Sequence, residues 1–209
     1  MFAPVASAVA GYLIGTAPCA DTAARLASGG ATDLRGVGTG NPGAVNAMAV
    51  LGKTWGGGIL AADAAKGVIA CAVGRRVAGP TGAHLAGTAA LVGHCFPVWN
   101  RFRGGKGVAV SLGHCMATFP AYVPVDLGVA WGVGRWTGRT FPGTAVASAT
   151  WVLAGLLWWR NGWPTGWGPA PTAALPLSAA ASSAVIIYRF VTAHGPGVPP
   201  LIGMRSRPC

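Results

Sequence analysis

Apolar stretches recur along this 209-residue chain, at roughly residues 3 to 20, 55 to 74, 80 to 99, 108 to 120, 121 to 134, 141 to 159 and 170 to 190. A helix needs about 20 mainly apolar residues to cross the hydrocarbon core of a bilayer. There every backbone polar group must find its partner within the protein, which favours helices. The expected fold class is therefore an all-α integral membrane protein, a bundle of about seven transmembrane helices forming a single polytopic membrane domain over residues 1–209. The fourth and fifth stretches are short. The Phe119 to Pro124 segment between them fits either a tight turn or a kink in one long helix, which would lower the count to six. Composition agrees: 52% of residues are hydrophobic and 9% charged, against about 25% charged in an ordinary soluble domain.

Charge then orients the bundle. There is no glutamate, only Asp21, Asp33, Asp63 and Asp126, against 15 Lys and Arg, for a net charge of +11. With seven spans and the N-terminus outside, the inner face collects Arg25, Arg35, Lys53, Arg101, Arg103, Lys106, Arg135, Arg139, Arg189, Arg205 and Arg207. The outer face keeps Arg75, Arg76 and Arg160, as the positive-inside rule asks. Trp158, Trp159, Trp163 and Trp167 suit an aromatic belt at the outer surface. The N-terminus lacks a basic leader region and reads as a retained first span. Single cations between apolar stretches, with no recognisable binding motif, argue against a nucleic-acid partner. Five cysteines fall singly, with no CxxC pair, so neither a disulfide framework nor a metal site is expected.

Two glycine-rich loops bear on chemistry. The first, DLRGVGTGNPGAVNAMAVLGK, sets Arg35, Thr39, Asn41, Asn46 and Lys53 among Gly36, Gly38, Gly40, Gly43 and Gly52. Exposed backbone N–H groups in such a turn make an anion nest, although a plain glycine-rich connector fits equally. The second, GHCFPVWNRFRGGKGVAVSLG, places Lys106 among Gly104, Gly105 and Gly107, directly before a new helix. A phosphate there would meet a full charge and a positive helix end. A Walker loop is excluded, because GxxxxGK[ST] is absent. Asp63 and Lys66 share one face of the second span and can pair, and ionisable groups at that depth mark functional interiors. His94, at the end of the third span, is suited to orienting the second loop or to moving a proton.

Taken in order, LRGVGTGNPGAVN, AADAAKG, GHCFPVWNRFRGGKGVAVSLG and IIYR resemble the bacterial acyl-phosphate:glycerol-3-phosphate acyltransferases, the PlsY family. GYLIGTAP, residues 11 to 18, also looks like that family's first helix. The resemblance implies an inner-membrane enzyme with seven helices and cytoplasmic catalytic loops. It would move a fatty acyl group from an acyl phosphate to the 1-hydroxyl of glycerol 3-phosphate, giving lysophosphatidate. No metal or coenzyme is implied, and the partners are glycerol 3-phosphate, fatty acyl phosphate and membrane lipids. By resemblance Thr39 stands at the family's serine, Asn41 and Asn46 at its asparagines, and Lys106 at its phosphate-binding lysine. The expected catalytic set is Thr39, Asn41 and Lys106. The expected substrate-binding set is Arg35, Gly38, Gly40, Gly43, Asn46, His94, Gly104, Gly105 and Gly107. The chain departs from the pattern at Ala49, where the family has an arginine, and at Phe190, Val191 and Ala193, where it has histidine, arginine and asparagine. A non-catalytic relative that binds phosphorylated lipid precursors is one alternative. A small transporter lined by Asp63, Lys66 and Asp126 is another, without the inverted repeats such proteins carry.

Overall fold

The computed structural model describes residues 2 to 192, and every regular element among them is helical. The expectations placed on Ala193, Arg205 and Arg207 lie outside the described residues. In chain order the helices are α1 (Phe2–Gly15), α2 (Cys19–Ser28), α3 (Ala44–Val50), α4 (Lys53–Cys95), α5 (Val108–Thr118), α6 (Val123–Thr137), α7 (Thr140–Asn161) and α8 (Ala174–Thr192).

α4 is a hairpin of two antiparallel limbs. Ala78 and Gly79 leave helical geometry, Gly79 at φ 62°, and Pro80 follows. Glycine takes the positive φ at low cost, and proline at the start of the second limb gives up an N–H that had no partner there. Two contacts show the fold-back. Gly74 and Gly82 touch so closely that a Cβ on either would strike the other's carbonyl, and His94 lies 3.4 Å from Lys66. In a straight helix those last two residues would be about 40 Å apart.

Four apolar segments are long enough to cross a membrane: Phe2–Ser28, Lys53–Asn100, Thr140–Asn161 and Ala174–Thr192. The sharply bent pair Val108–Thr118 and Pro120–Thr137 makes a fifth. All of the expected apolar stretches carry helix: α1, both limbs of α4, and α5 to α8. However, α5 has 11 residues and α6 has 15, each short of the ~20 of a full crossing, so length and composition alone do not establish seven crossings. The Phe119 to Pro124 segment is the tight turn rather than the kinked helix, with a bend of 119°. A single 3-10 turn, Pro120–Tyr122, fills it.

The bundle closes on small residues. On α1, Gly11 and Gly15 are four residues apart and meet the backbones of Ala86 and Ala90 on the second limb of α4, while Gly93 of that limb meets the Tyr12 carbonyl. Gly67 on the first limb packs on Val110, and Gly113 of α5 packs on Ala64. Helix association in lipid lacks the aqueous hydrophobic drive and depends on such close backbone approach. Larger side chains, Leu91, Val110, Ile186 and Phe190 among them, form the core between α4, α5 and α8.

Candidate functional site

Both glycine loops gather at one end of the bundle, opposite the α4 turn. Arg35 of the first loop donates from Nε to the Arg103 carbonyl of the second at 3.1 Å. The same guanidinium pairs with Asp21 of α2, Nη1 to Oδ1 2.5 Å and Nη2 to Oδ2 3.2 Å, and with Asp33 at 3.3 Å. It thus ties α2 and both loops together. Trp99 donates to Thr16 Oγ1 at 2.9 Å and Tyr12 donates to the Phe96 carbonyl at 2.9 Å, fastening the second loop to the end of α1.

Beneath this junction lies a cavity of about 510 Å³. Its lining includes Asp63, Lys66 and His94 as well as Asp21, Arg35, Asn100, Gly104 and Gly105. Asp63 and Lys66 form the expected pair, Nζ to Oδ1 2.8 Å, and His94 Nδ1 stands 3.5 Å from the same oxygen. Lys66 also donates to the carbonyls of Ala17 at 2.9 Å and Gly15 at 3.3 Å. Lys66 is thus ion-paired with one carboxylate and hydrogen-bonded to two carbonyls. It neutralises the interior and holds the end of α1.

The second loop is clamped from two sides. Gly104 N–H donates to the Cys95 carbonyl at 3.1 Å and Gly105 N–H to the His94 carbonyl at 3.2 Å. Their own carbonyls accept from Arg189 of α8, Gly104 at 2.6 Å and Gly105 at 3.1 Å. A Cβ at Gly104 would strike the His94 carbonyl, and one at Gly105 the His94 ring nitrogen Nε2. The need for glycine here is close approach.

Lys106 follows directly. It is half-buried, with its ammonium 4.2 Å from the centre of the Phe190 ring. Among the described residues that ammonium has no hydrogen-bond acceptor, so three donors remain available at the entrance to α5. Burial, with the neighbouring Arg189 charge adding to it, pushes the Lys106 pKa below the ordinary lysine value.

The first loop is organised by Asn46. Its amide nitrogen donates to the carbonyls of Leu34 at 3.0 Å and Val37 at 3.1 Å, and its oxygen accepts from Thr39 N–H at 2.8 Å. Gly38, at φ 58°, lies where a Cβ would strike that amide oxygen. Asn46 therefore shapes the loop. Asn41 differs: its Oδ1 is buried without a hydrogen-bond donor, and its Nδ2 crowds Gly43. Thr39 is exposed.

Of the expected site residues, Arg35, His94, Gly104 and Gly105 line the cavity. Thr39, Asn41, Asn46, Gly38, Gly40, Gly43, Lys106 and Gly107 do not, although they sit on the two loops that meet over it. Sequence reasoning missed Asp21 as the partner of Arg35 and Arg189 as the clamp on Gly104 and Gly105. Nothing in their spacing signals contacts made across 14 and about 85 residues.

Comparison with known proteins agrees with this arrangement. The chain matches the model of the glycerol-3-phosphate acyltransferase family over residues 5–194. It is 40% identical over 159 residues to the glycerol-3-phosphate acyltransferase of Bradyrhizobium diazoefficiens, covering 76% of this chain and 77% of that one. The enzyme of the same name from Thermoanaerobacter pseudethanolicus is 37% identical over 158 residues, covering 75% and 78%. Among solved structures it resembles PlsY, an integral membrane glycerol 3-phosphate acyltransferase, in its glycerol 3-phosphate form, with TM-score 0.73 and 28% identity over 90% of this chain and 88% of the other. The lysophosphatidic acid form of the same protein also matches at TM-score 0.73. A family match spanning nearly the whole chain, carried on a helical bundle whose two glycine loops close over a charged cavity, shows that this integral membrane protein belongs to the glycerol-3-phosphate acyltransferase family.

Proposed function

We propose that this chain transfers a fatty acyl group from an acyl phosphate to the 1-hydroxyl of glycerol 3-phosphate, as the opening acylation of phospholipid synthesis. The hydroxyl oxygen bonds to the acyl carbonyl carbon, the bond from that carbon to the phosphate oxygen breaks, and the hydroxyl proton leaves with inorganic phosphate. The donor is already activated, so no enzyme nucleophile is needed. The protein supplies proximity and charge stabilisation.

The observation that carries this reading is the Lys106 ammonium, half-buried beside the Gly104–Gly105 backbone with no acceptor of its own among the described residues. Lys106 binds a substrate phosphate, with Gly104, Gly105 and Gly107 allowing it to approach. Asn41 Oδ1 accepts from a substrate hydroxyl, and Thr39, Gly38, Gly40 and Gly43 present the first loop. Arg35 and His94 act at the cavity wall. The whole chain works as a single polytopic domain in the bacterial inner membrane, N-terminus outside and both loops cytoplasmic. Purified protein given palmitoyl phosphate and glycerol 3-phosphate should form lysophosphatidate and phosphate together. Ala49 and Phe190 stand where the family has cations or polar groups, which favours a second reading, a non-catalytic binder. Retention of glycerol 3-phosphate without any turnover would select it.

A further inference from the structure

We propose that the opposite end of the bundle binds an anionic phospholipid of the surrounding bilayer, its phosphodiester held by Arg75 and Arg76 and one acyl chain lying in the groove below them. The groove encloses about 490 Å³ where the first limb of α4 faces α5. Val68, Ala72 and Met116 contribute to its apolar wall, Arg75 and Arg76 stand on it, and Trp167 borders it. From Val68 to Arg76 the limb advances about 12 Å, so the apolar strip runs lengthwise into the bundle from the charged end. Both arginines are exposed, and among the described residues neither has a carboxylate within ion-pair distance. Among the described residues no acidic side chain lines the groove. Trp167 donates its indole N–H to the Met116 carbonyl at 2.9 Å, which fixes the ring beside the C-terminal end of α5.

Three features together specify the occupant. The charge is uncompensated and doubled, which suits an anion shared between two guanidiniums that each present a planar fork to phosphate oxygens. The remaining wall is apolar, which suits an anion that carries hydrocarbon. Trp158, Trp163 and Trp167 cluster at this end, with Trp158 and Trp163 in edge-to-face contact at 5.0 Å, and such residues sit at headgroup depth. Adjacent arginines here run against the charge distribution of the rest of the chain, and a bound phospholipid supplies the reason for them. The site is separate from the substrate cavity, since Arg75 lies about 14 Å along the limb from Lys66, and it does not depend on which reaction that cavity performs.

Native mass spectrometry of the detergent-purified full chain, offered equal phosphatidylglycerol and phosphatidylcholine, tests the proposal. Retention of phosphatidylglycerol should exceed that of phosphatidylcholine about tenfold, a difference of ~1.4 kcal/mol. The Arg75→Gln/Arg76→Gln variant, altered only at exposed positions, should lose the preference while keeping the basal turnover of the parent. Ala72→Trp keeps both charges but fills the groove, and it should lose retained lipid as well. Equal retention of the two lipids by the parent overturns the proposal. So does full phosphatidylglycerol preference in Ala72→Trp, which would reduce the arginines to a diffuse surface charge. A dimer that Ala72→Trp dissociates would assign the groove to a second copy of the chain and overturn it equally.

Discussion

Lys106 rests on a phenyl ring, not a polar side chain, and that substitution sets what its ammonium can do. Phe190 is buried against Phe141 with ring centroids 5.4 Å apart. A ring face attracts a cation by about 0.5 to 2 kcal/mol but accepts no ordinary hydrogen bond, so it holds the ammonium in place and leaves its three donors for phosphate. If Lys106 binds a substrate phosphate as proposed, Phe190→Leu, close in volume, should raise KM for that substrate by about twofold to thirtyfold with a smaller change in kcat. An unchanged KM would show that the ring contact does not position the lysine. On the same proposal Lys106→Ala would remove a charged hydrogen bond to phosphate worth about 1.5 to 3 kcal/mol and should lower kcat/KM by about tenfold to a hundredfold or more. Lys106→Arg should also be impaired, because a planar guanidinium cannot occupy the point-charge site between the glycines; full activity in both variants would move the phosphate site elsewhere. The pH profile follows from the same burial. The Lys106 pKa lies below its ordinary value, so the free protein loses this charge at a lower pH than an exposed lysine does, and phosphate affinity should fall as pH rises through that lowered pKa. Between the folded and unfolded pKa values the unfolded chain binds more protons, so the group's contribution to stability increases with pH there. Alkaline inhibition that persists unchanged in Lys106→Ala would remove the lysine as its source.

At the scale of helices, the α1 seam is the most sharply testable element. Gly15 has no room for a Cβ against Ala90, whereas Gly57 faces open space. Gly15→Leu should therefore separate α1 from α4 and lower the thermal midpoint by several degrees, a change of at least 1 to 3 kcal/mol for overpacking. Gly57→Ala should be neutral or stabilising by about 0.4 to 1 kcal/mol, through loss of freedom in the unfolded chain. Equal midpoints for the two variants would show that the seam does not hold the bundle. Much of this level was legible in the sequence. The apolar stretches fall on helices because lipid leaves the backbone no other local solution. The i,i+3 spacing of Asp63 and Lys66 correctly forecast their pair, since three residues along a helix return a side chain to the same face. The site was harder to read. Asn46 has the residue type of a ligand but is consumed by Leu34, Val37 and Thr39, and the Arg35 and Arg189 clamps arise from packing between distant elements. Residue type and spacing carry no signal for such contacts.

The whole molecule is polarised, with a charged cavity under two loops at one end and an arginine-tryptophan surface at the other, but its chain is made from one terminus to the other and each span enters the bilayer before later ones exist. The Asp63–Lys66 pair bears on that order of events. Its partners lie within one helix and at the carbonyls of Gly15 and Ala17, all synthesised earlier or at the same moment; only His94 comes later. The buried middle of the first limb of α4 can thus be handed to the bilayer with its two interior charges already paired, without waiting for the rest of the bundle. Each isolated charge at a helix centre adds about 2.5 to 3.5 kcal/mol on insertion scales. Removing Lys66 alone should therefore leave more nascent chains unintegrated than removing Asp63 and Lys66 together, as read by protease protection of a reporter fused beyond the α4 turn. A double variant that integrates no better than Lys66→Ala would show that the pairing forms only after assembly. If the ordering holds, the pair serves biogenesis as well as the finished site, which gives the chain a reason to place these two charges three residues apart on one helix and not on separate helices.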